Sequence, residues 1–337
     1  MRWATEDLHR YLRRHVRVTR HTVSVTAYAR VHLGAIDLAG ARPLGGGFGF
    51  GVPELPFTVH THPRGADGPP AAGTVDRYVD PDVLSSVIAR MGLDARRVNW
   101  TVTGKALQHK GYGSGTQVLV AALQGLRIST GLPPASVKEL AEAGIGAQSS
   151  IGVRLALDPS PVLDLGRDRD VDDDGSSSYA RRVPLAGALR VRFPPKWAGL
   201  VLWPVRLQGL DDAADADFWS RILPIPEAQT NAMSRALLLD ILAGIAAESF
   251  PVFEDGVRRI NTAGAKTWEW AAQPEPVRTL AAALRGSGFE PLLSSVGPGM
   301  VVLAATTDEV MRAQAVVDLH GGGAWEAQPT HLAWNGG

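Results

Sequence analysis

An α+β protein of two domains is what this sequence predicts, on three observations. The chain has 337 residues and is 45% hydrophobic, enough to bury a core and long enough for two domains. Strand-like alternation and helix-like periodicity both occur along it. Near residue 186 the pattern changes, as an acidic, serine-containing stretch gives way to new apolar strands and helices.

Residues 16–31 alternate apolar and polar, which reads as strand. Residues 32–52 are glycine-rich and lead back into an apolar stretch, a loop or hairpin between strands. Residues 60–76, rich in Gly, Pro and Ala, read as an exposed loop, and residues 81–91 as a helix opened by proline. A short strand follows at 99–104. Next, a glycine-serine loop runs into the alanine-rich segment ending near residue 130, a loop feeding a helix. Pro133 to Ala143 reads as a helix, with Ser136 and Glu139 spaced as a capping box. Residues 158–178 are acidic; Asp170, Asp172, Asp173 and Asp174 suggest a metal site or a solvated loop, and their spacing lacks the glycine and closing glutamate of a calcium loop. Beyond 186, strands are expected at 189–193 and 199–205, helices at 230–248 and 276–285, a strand–turn–strand at 289–305 and a last helix at 308–319.

Basic and acidic side chains number 34 each, so no net charge argues for nucleic acid. Five of the basic residues are lysines (Lys105, Lys110, Lys138, Lys196, Lys266) and 29 are arginines, the better fork for phosphates and carboxylates. With no cysteine there is no disulfide, thiolate metal site or cysteine nucleophile. Met1 to Arg20 has no apolar signal region, and no run reaches the roughly 18 apolar residues of a membrane span. A soluble cytoplasmic protein is expected. His60, His62, His320 and His331 read as surface residues, and Trp197 and Trp203 as core.

Residues 110–117 (KGYGSGTQ) carry the most chemistry. Glycines before a helix expose backbone amides at the positive end of its dipole, and let a phosphate come close. This loop resembles the second motif of the GHMP kinase superfamily, which wraps the phosphates of ATP. Within that superfamily it is similar to the β-ribofuranosylaminobenzene 5′-phosphate synthases. Arg30 to Gly49, Gly144 to Val153 and Leu293 to Pro298 also resemble blocks of that branch, in order. There are departures. Gly152 stands where kinases usually carry a catalytic aspartate, Tyr112 replaces leucine, and Val296 replaces tryptophan. The first counts against phosphotransfer; the other two suggest a different acceptor.

The resemblance implies a ribosomal-protein-S5-like domain over 1–185 and a ferredoxin-like domain over 186–337, with the ligand between them. It implies transfer of ribose 5-phosphate from phosphoribosyl pyrophosphate to a ring carbon of an aromatic or heteroaromatic carboxylate, with loss of CO2 and pyrophosphate and with Mg2+. No nucleic acid or membrane partner is expected; a homodimer is compatible. His32, Asp37 and His109 are the catalytic candidates. Lys110, Gly111, Gly113, Ser114, Gly115, Thr116 and Gln117 would hold the phosphates, with Ser114 also touching the metal. Arg30, Lys105, Ser149, Ser150, Ser294 and Ser295 would hold the acceptor. Structural readings stand beside these: His32 as a core histidine, Asp37 as a turn cap, Gln117 as a helix start, Ser294 and Ser295 as turn residues. A small-molecule kinase and a non-catalytic ligand-binding protein are the competing functions.

Overall fold

The computed structural model describes residues 5–39, 45–65, 73–146, 150–166 and 188–333. Ser149 and the acidic positions Asp170, Asp172, Asp173 and Asp174 lie outside them.

The first sheet contains β1 (Val16–Val18), β2 (Val23–Gly34), β3 (Gly47–Pro63), β4 (Gly73–Thr74), β5 (Val98–Gly104), β6 (Val162–Asp164) and β7 (Ala188–Arg190). Its main path is β1-β2-β3-β5-β4, with β6 beside β3 and β7 beside β6, all antiparallel. Strand β2 shows why the alternation matters. Val23, Val25, Ala27, Ala29, Val31 and Leu33 point into the core, leaving Arg30 and His32 on the other face. The helices of this half are α1 (Thr5–His15), α2 (Pro81–Arg90), α3 (Ser114–Ser129), α4 (Val137–Glu142) and α5 (Ile151–Leu157). The capping box at α4 forms as its sequence spacing requires, with Ser136 and Glu139 satisfying each other's backbone amides. Helix α3 is buried along most of its length and packs on β2 and β3.

The second sheet has the order β11-β8-β10-β9, from β8 (Ala198–Pro204), β9 (Pro291–Leu293), β10 (Met300–Ala304) and β11 (Trp325–His331). Between β8 and β9 run α6 (Asp212–Ile222), α7 (Glu227–Arg235), α8 (Leu242–Ala246), α9 (Phe250–Ile260), α10 (Lys266–Ala271) and α11 (Glu275–Gly286); α12 (Thr307–Gly321) follows β10. One π-helical turn, Ala236–Ile241, joins α7 to α8, so the expected helix at 230–248 is continuous but locally widened. Helices α11 and α12 cover one face of this sheet through Val277, Leu280, Val310 and Val317.

A single apolar core runs across the seam between the two sheets. It joins Val31, Leu33, Phe48 and Phe50 to Trp197, Val201, Trp203 and Phe253. Phe193 meets Phe50 edge-on at 5.5 Å between ring centres, and Trp197 meets Phe253 at 4.8 Å.

Three readings change. Strand β3 continues to Pro63, so residues 60–63 are strand, not loop. His62 is therefore buried, and His60 bonds the hydroxyls of Ser24 and Thr103 at 2.8 and 2.9 Å, so neither is a free surface residue. Helices α1, α6, α9 and α10 and strand β11 had no clear sequence signal. Among the described residues no helix is long and apolar enough to cross a membrane.

Candidate functional site

Three segments far apart in sequence meet at one place. The Arg30 amide donates to the Tyr112 carbonyl at 3.0 Å, and the Ser295 amide to the His32 carbonyl at 3.0 Å. The Gly299 amide donates to the Lys110 carbonyl at 2.9 Å. The Ser294 hydroxyl donates to the Gly111 carbonyl at 2.8 Å and accepts from the His32 amide at 3.2 Å. So the end of β2, the glycine loop and the turn between β9 and β10 form one clasp.

The clasp dictates two glycines. Gly111 has φ +85°, and a Cβ there would lie 2.3 Å from the Ser294 carbonyl oxygen. Gly113 has φ +67°, and its Cβ would lie 2.5 Å from Arg30 Nε. Gly113 is also the N-cap of α3, so no side chain caps the first amides of that helix. Those amides open into a cleft of about 450 Å3, within the roughly 300–1,000 Å3 usual for small-molecule sites. Ser114, Gly115 and Thr116 line it beside them. A helix start with uncapped amides and close backbone access is a cradle for phosphate.

Of the other expected residues, Arg30, His32, His109 and Ser295 also line the cleft. Arg30 is half-buried, but its Nε and Nη1 are shut off from water and have no hydrogen-bond partner among the described residues. Burial pushes its guanidinium down to about 10, with Asp215 nearby acting in the opposite sense. Burial, then the positive charges of Arg30 and Lys266, hold the His32 imidazole well below its ordinary value, so it is neutral at pH 7. His15 and His60 are also lowered, mainly by burial. Each unfolded histidine takes a proton near pH 6.5 that the folded one refuses. Stability should therefore be level above pH 7 and fall as pH drops below about 6.5, in chemical denaturation curves taken from pH 8 to 5.

The rest of the expected set is placed elsewhere. Lys110 turns its ammonium to the carbonyls of Leu207 and Val205, and Lys105 pairs with Glu326 over the Trp203 ring. Both line a groove of about 230 Å3 that shares Tyr78 and Gln108 with the cleft, and neither is among the cleft-lining residues. Asp37 forms a bridge with Gly45 and accepts from the Ala39 amide at 3.0 Å; it caps its own turn and is not among the cleft-lining residues. Gln117 is fully buried and donates to the Gly152 carbonyl at 2.7 Å, bracing α5 against α3. The Ser150 hydroxyl bonds buried Asp164, and the Ser294 hydroxyl is spent on the clasp.

Tyr112 is also structural. Its ring is buried, and its hydroxyl reaches the carbonyls of Leu202 at 2.6 Å and Met300 at 2.8 Å, across β8 and β10. It therefore does not select an acceptor. Tyr112→Phe should cost about 1–2 kcal/mol of stability in urea unfolding and leave ligand affinity unchanged.

Sequence reading passed over residues that the fold brings to the cleft. Glu269 lines it and is paired with Lys266 at 2.5 Å; burial raises Glu269 above, and pushes Lys266 below, their ordinary values. The Lys266 ammonium also donates to the carbonyls of Leu293 and Ser295 at 2.8 and 2.9 Å, fixing the turn. A charged pair three residues apart, next to tryptophans, was the available signal. Asp215 and Trp219 come from α6. Gly152 packs against Thr116; a Cβ there would lie 3.1 Å from Thr116 Cγ2.

No protein-family model matches the chain. Among solved structures, Streptococcus pneumoniae phosphomevalonate kinase superposes with a TM-score of 0.68 at 11% identity, covering 93% of this chain and all of that one. L. major mevalonate kinase in complex with R-mevalonate gives 0.64 at 12%, over 94% and 97% of the two chains. Homoserine kinase from Cytophaga hutchinsonii gives 0.63 at 14%, over 95% and 98%. The chain has the GHMP-kinase fold. The fold that the glycine loop's resemblance implied is thus matched over more than nine-tenths of the chain. Against this GHMP frame one sequence relative narrows the field. The chain is 25% identical over 298 residues to the β-ribofuranosylphenol 5′-phosphate synthase of Methanothermobacter thermautotrophicus. That covers 83% of this chain and 87% of the synthase, and makes the two distant homologues.

Proposed function

We propose that this GHMP-fold chain joins ribose 5-phosphate from phosphoribosyl pyrophosphate to a ring carbon of an aromatic or heteroaromatic carboxylate, releasing CO2 and pyrophosphate. The observation that carries the reading is the pairing, in one cleft, of an uncapped amide cradle with a guanidinium whose Nε and Nη1 have no hydrogen-bond partner among the described residues. A substrate with several phosphates suits the first, and a ring carboxylate suits the second. The distant synthase supports a ribosyl-phosphate product. Gly152 stands where the kinase block carries aspartate, so the base expected of a kinase is missing from its usual place.

In the proposed reaction the bond from C1 to the pyrophosphate oxygen breaks, and its electron pair leaves with pyrophosphate. Ring π electrons form the C–C bond to C1. The bond to the carboxylate then breaks, its pair restores the aromatic ring, and CO2 departs. The amides of Ser114 to Thr116 and the hydroxyls of Ser114 and Thr116 would stabilise the growing negative charge. Arg30 would orient the ring, its guanidinium turning from the cleft wall to give its unpaired nitrogens to a carboxylate's oxygens. Mg2+ fits as a phosphate-held ion: no group of three acidic or histidine side chains gathers among the described residues, and Ser114 beside the cradle is the side chain that would reach it, the ion neutralising phosphate charge.

Calorimetry with phosphoribosyl pyrophosphate and with ATP, each with Mg2+, tests the reading. Binding of the first alone, followed by CO2 and pyrophosphate release with a ring carboxylate, is the expected result. Binding of ATP alone returns the chain to the small-molecule kinases. Tight phosphoribosyl pyrophosphate binding without turnover for any acceptor makes it a binding protein.

A further inference from the structure

We infer that α6 is the acceptor-recognition element, and that Trp219 supplies the flat surface on which the acceptor ring stacks. The inference rests on the transferase reading and adds the residue that selects a planar ring.

Helix α6 borders the cleft, tethered at both sides. The Gly209 amide donates to the His109 carbonyl at 2.6 Å, and the Ile225 amide to the Leu38 carbonyl at 3.0 Å. A Cβ at 209 would lie 2.6 Å from the Gly297 carbonyl oxygen, so the chain passes directly against the clasp before α6 begins. Asp211 caps the helix by accepting from the Ala214 amide at 2.9 Å. The geometry then directs Asp215, Ala216 and Trp219 to the cleft, on one face at the spacing of a helical turn.

Trp219 is held rather than loose. Its indole N–H donates to Asp215 Oδ1 at 3.2 Å, one turn earlier. The buried Phe218 ring stands edge-on to it, 5.4 Å between centres. Trp219 nevertheless remains partly exposed and lines the cleft. Asp215 is also the acidic group whose charge bears on Arg30. The indole, its carboxylate partner and the guanidinium of Arg30 thus line one cleft, which offers a flat apolar surface and a cation together. A planar ring with a carboxylate needs both.

Tyr78 is the other tyrosine, tryptophan or phenylalanine lining the cleft among the described residues. Its carbonyl oxygen lies 3.2 Å from a Cβ built at Gly115, so it stands beside the first turn of α3. Val296 lines the cleft too and brings no aromatic ring, so Trp219 is the ring that α6 contributes, beside the Asp215 carboxylate.

The test is binding of 4-hydroxybenzoate, 4-aminobenzoate and pyrazole-3-carboxylate to protein saturated with phosphoribosyl pyrophosphate and Mg2+, by calorimetry and tryptophan fluorescence. Trp219→Ala should weaken the ring carboxylate that binds wild type by about tenfold and abolish most of the fluorescence change. Trp219→Phe, which keeps a ring, should restore affinity to within about threefold of wild type. Phosphoribosyl pyrophosphate should bind both variants as it binds the wild type. Ring binding unchanged in Trp219→Ala overturns the inference and spares the transferase reading. Equal loss of both ligands in both variants also overturns it, since it reports a structural role. Wild-type protein that binds phosphoribosyl pyrophosphate but no ring carboxylate overturns both.

Discussion

Arg30→Met should give a protein that unfolds at higher denaturant than the wild type and no longer turns over. The two effects have one origin. Arg30 extends from β2 into the cleft with Nε and Nη1 out of contact with water and without a hydrogen-bond partner among the described residues, and its lowered basicity records how poorly the charge is solvated there. An isolated buried charge destabilises the fold, and a side chain of similar volume without charge removes that cost. A gain of about 1–3 kcal/mol is expected in urea unfolding. Catalysis should move the other way. Losing a charge-assisted pair to the acceptor's carboxylate costs about 2–4 kcal/mol, or roughly 30- to 1,000-fold in kcat/KM for the acceptor. A variant that loses stability as well would show that Arg30 braces the fold and is not held in reserve for a ligand.

Gly111→Ala should be the most damaging one-methyl change in the loop. The residue sits at φ +85°, where a side chain is strained by about 1–2 kcal/mol, and the new Cβ would also press on the Ser294 backbone carbonyl at 2.3 Å. Backbone cannot swing aside as a side chain can, so the clasp must open. A loss of about 3–5 kcal/mol is expected, with phosphoribosyl pyrophosphate binding weakened at least about 100-fold in calorimetry. Gly131→Ala is the control. It has φ +79° with nothing within 4 Å of the added atom, so it should show the conformational strain alone, about 1–2 kcal/mol, and bind normally. Equal behaviour of the two variants would mean that the clasp is unimportant.

The sequence announced what is local. The alternation of β2, the capping box at Ser136 and the glycine loop entering α3 each depend on a few neighbouring residues, and each is present. Which side chains reach the cleft depends on the partner across the seam. Lys110 and Gln117 flank the cradle in sequence, yet the carbonyls of Leu207 and Gly152 capture them. Ser150 lost its hydroxyl to Asp164 for the same reason. Glu269 and Trp219 arrived on short helices with little apolar periodicity to announce them. The phosphate end was therefore readable, and most of the acceptor end was not.

The clasp also sets when a working cradle can exist during synthesis. Ser294 closes on a glycine 183 residues earlier and on a β2 residue 262 residues earlier. At roughly 5–20 residues per second, about 10–40 s separate emergence of the loop from that of its closing turn. During that interval the amino-terminal half can collapse around α3, but the loop lacks the Ser294 hydroxyl and the Gly299 amide that hold its backbone. A ribosome-bound chain therefore passes through a long stage with a fold and no binding competence. The ligand cannot assist folding of the half that carries its phosphate loop; it meets the protein only once the carboxy-terminal sheet has locked that loop in place.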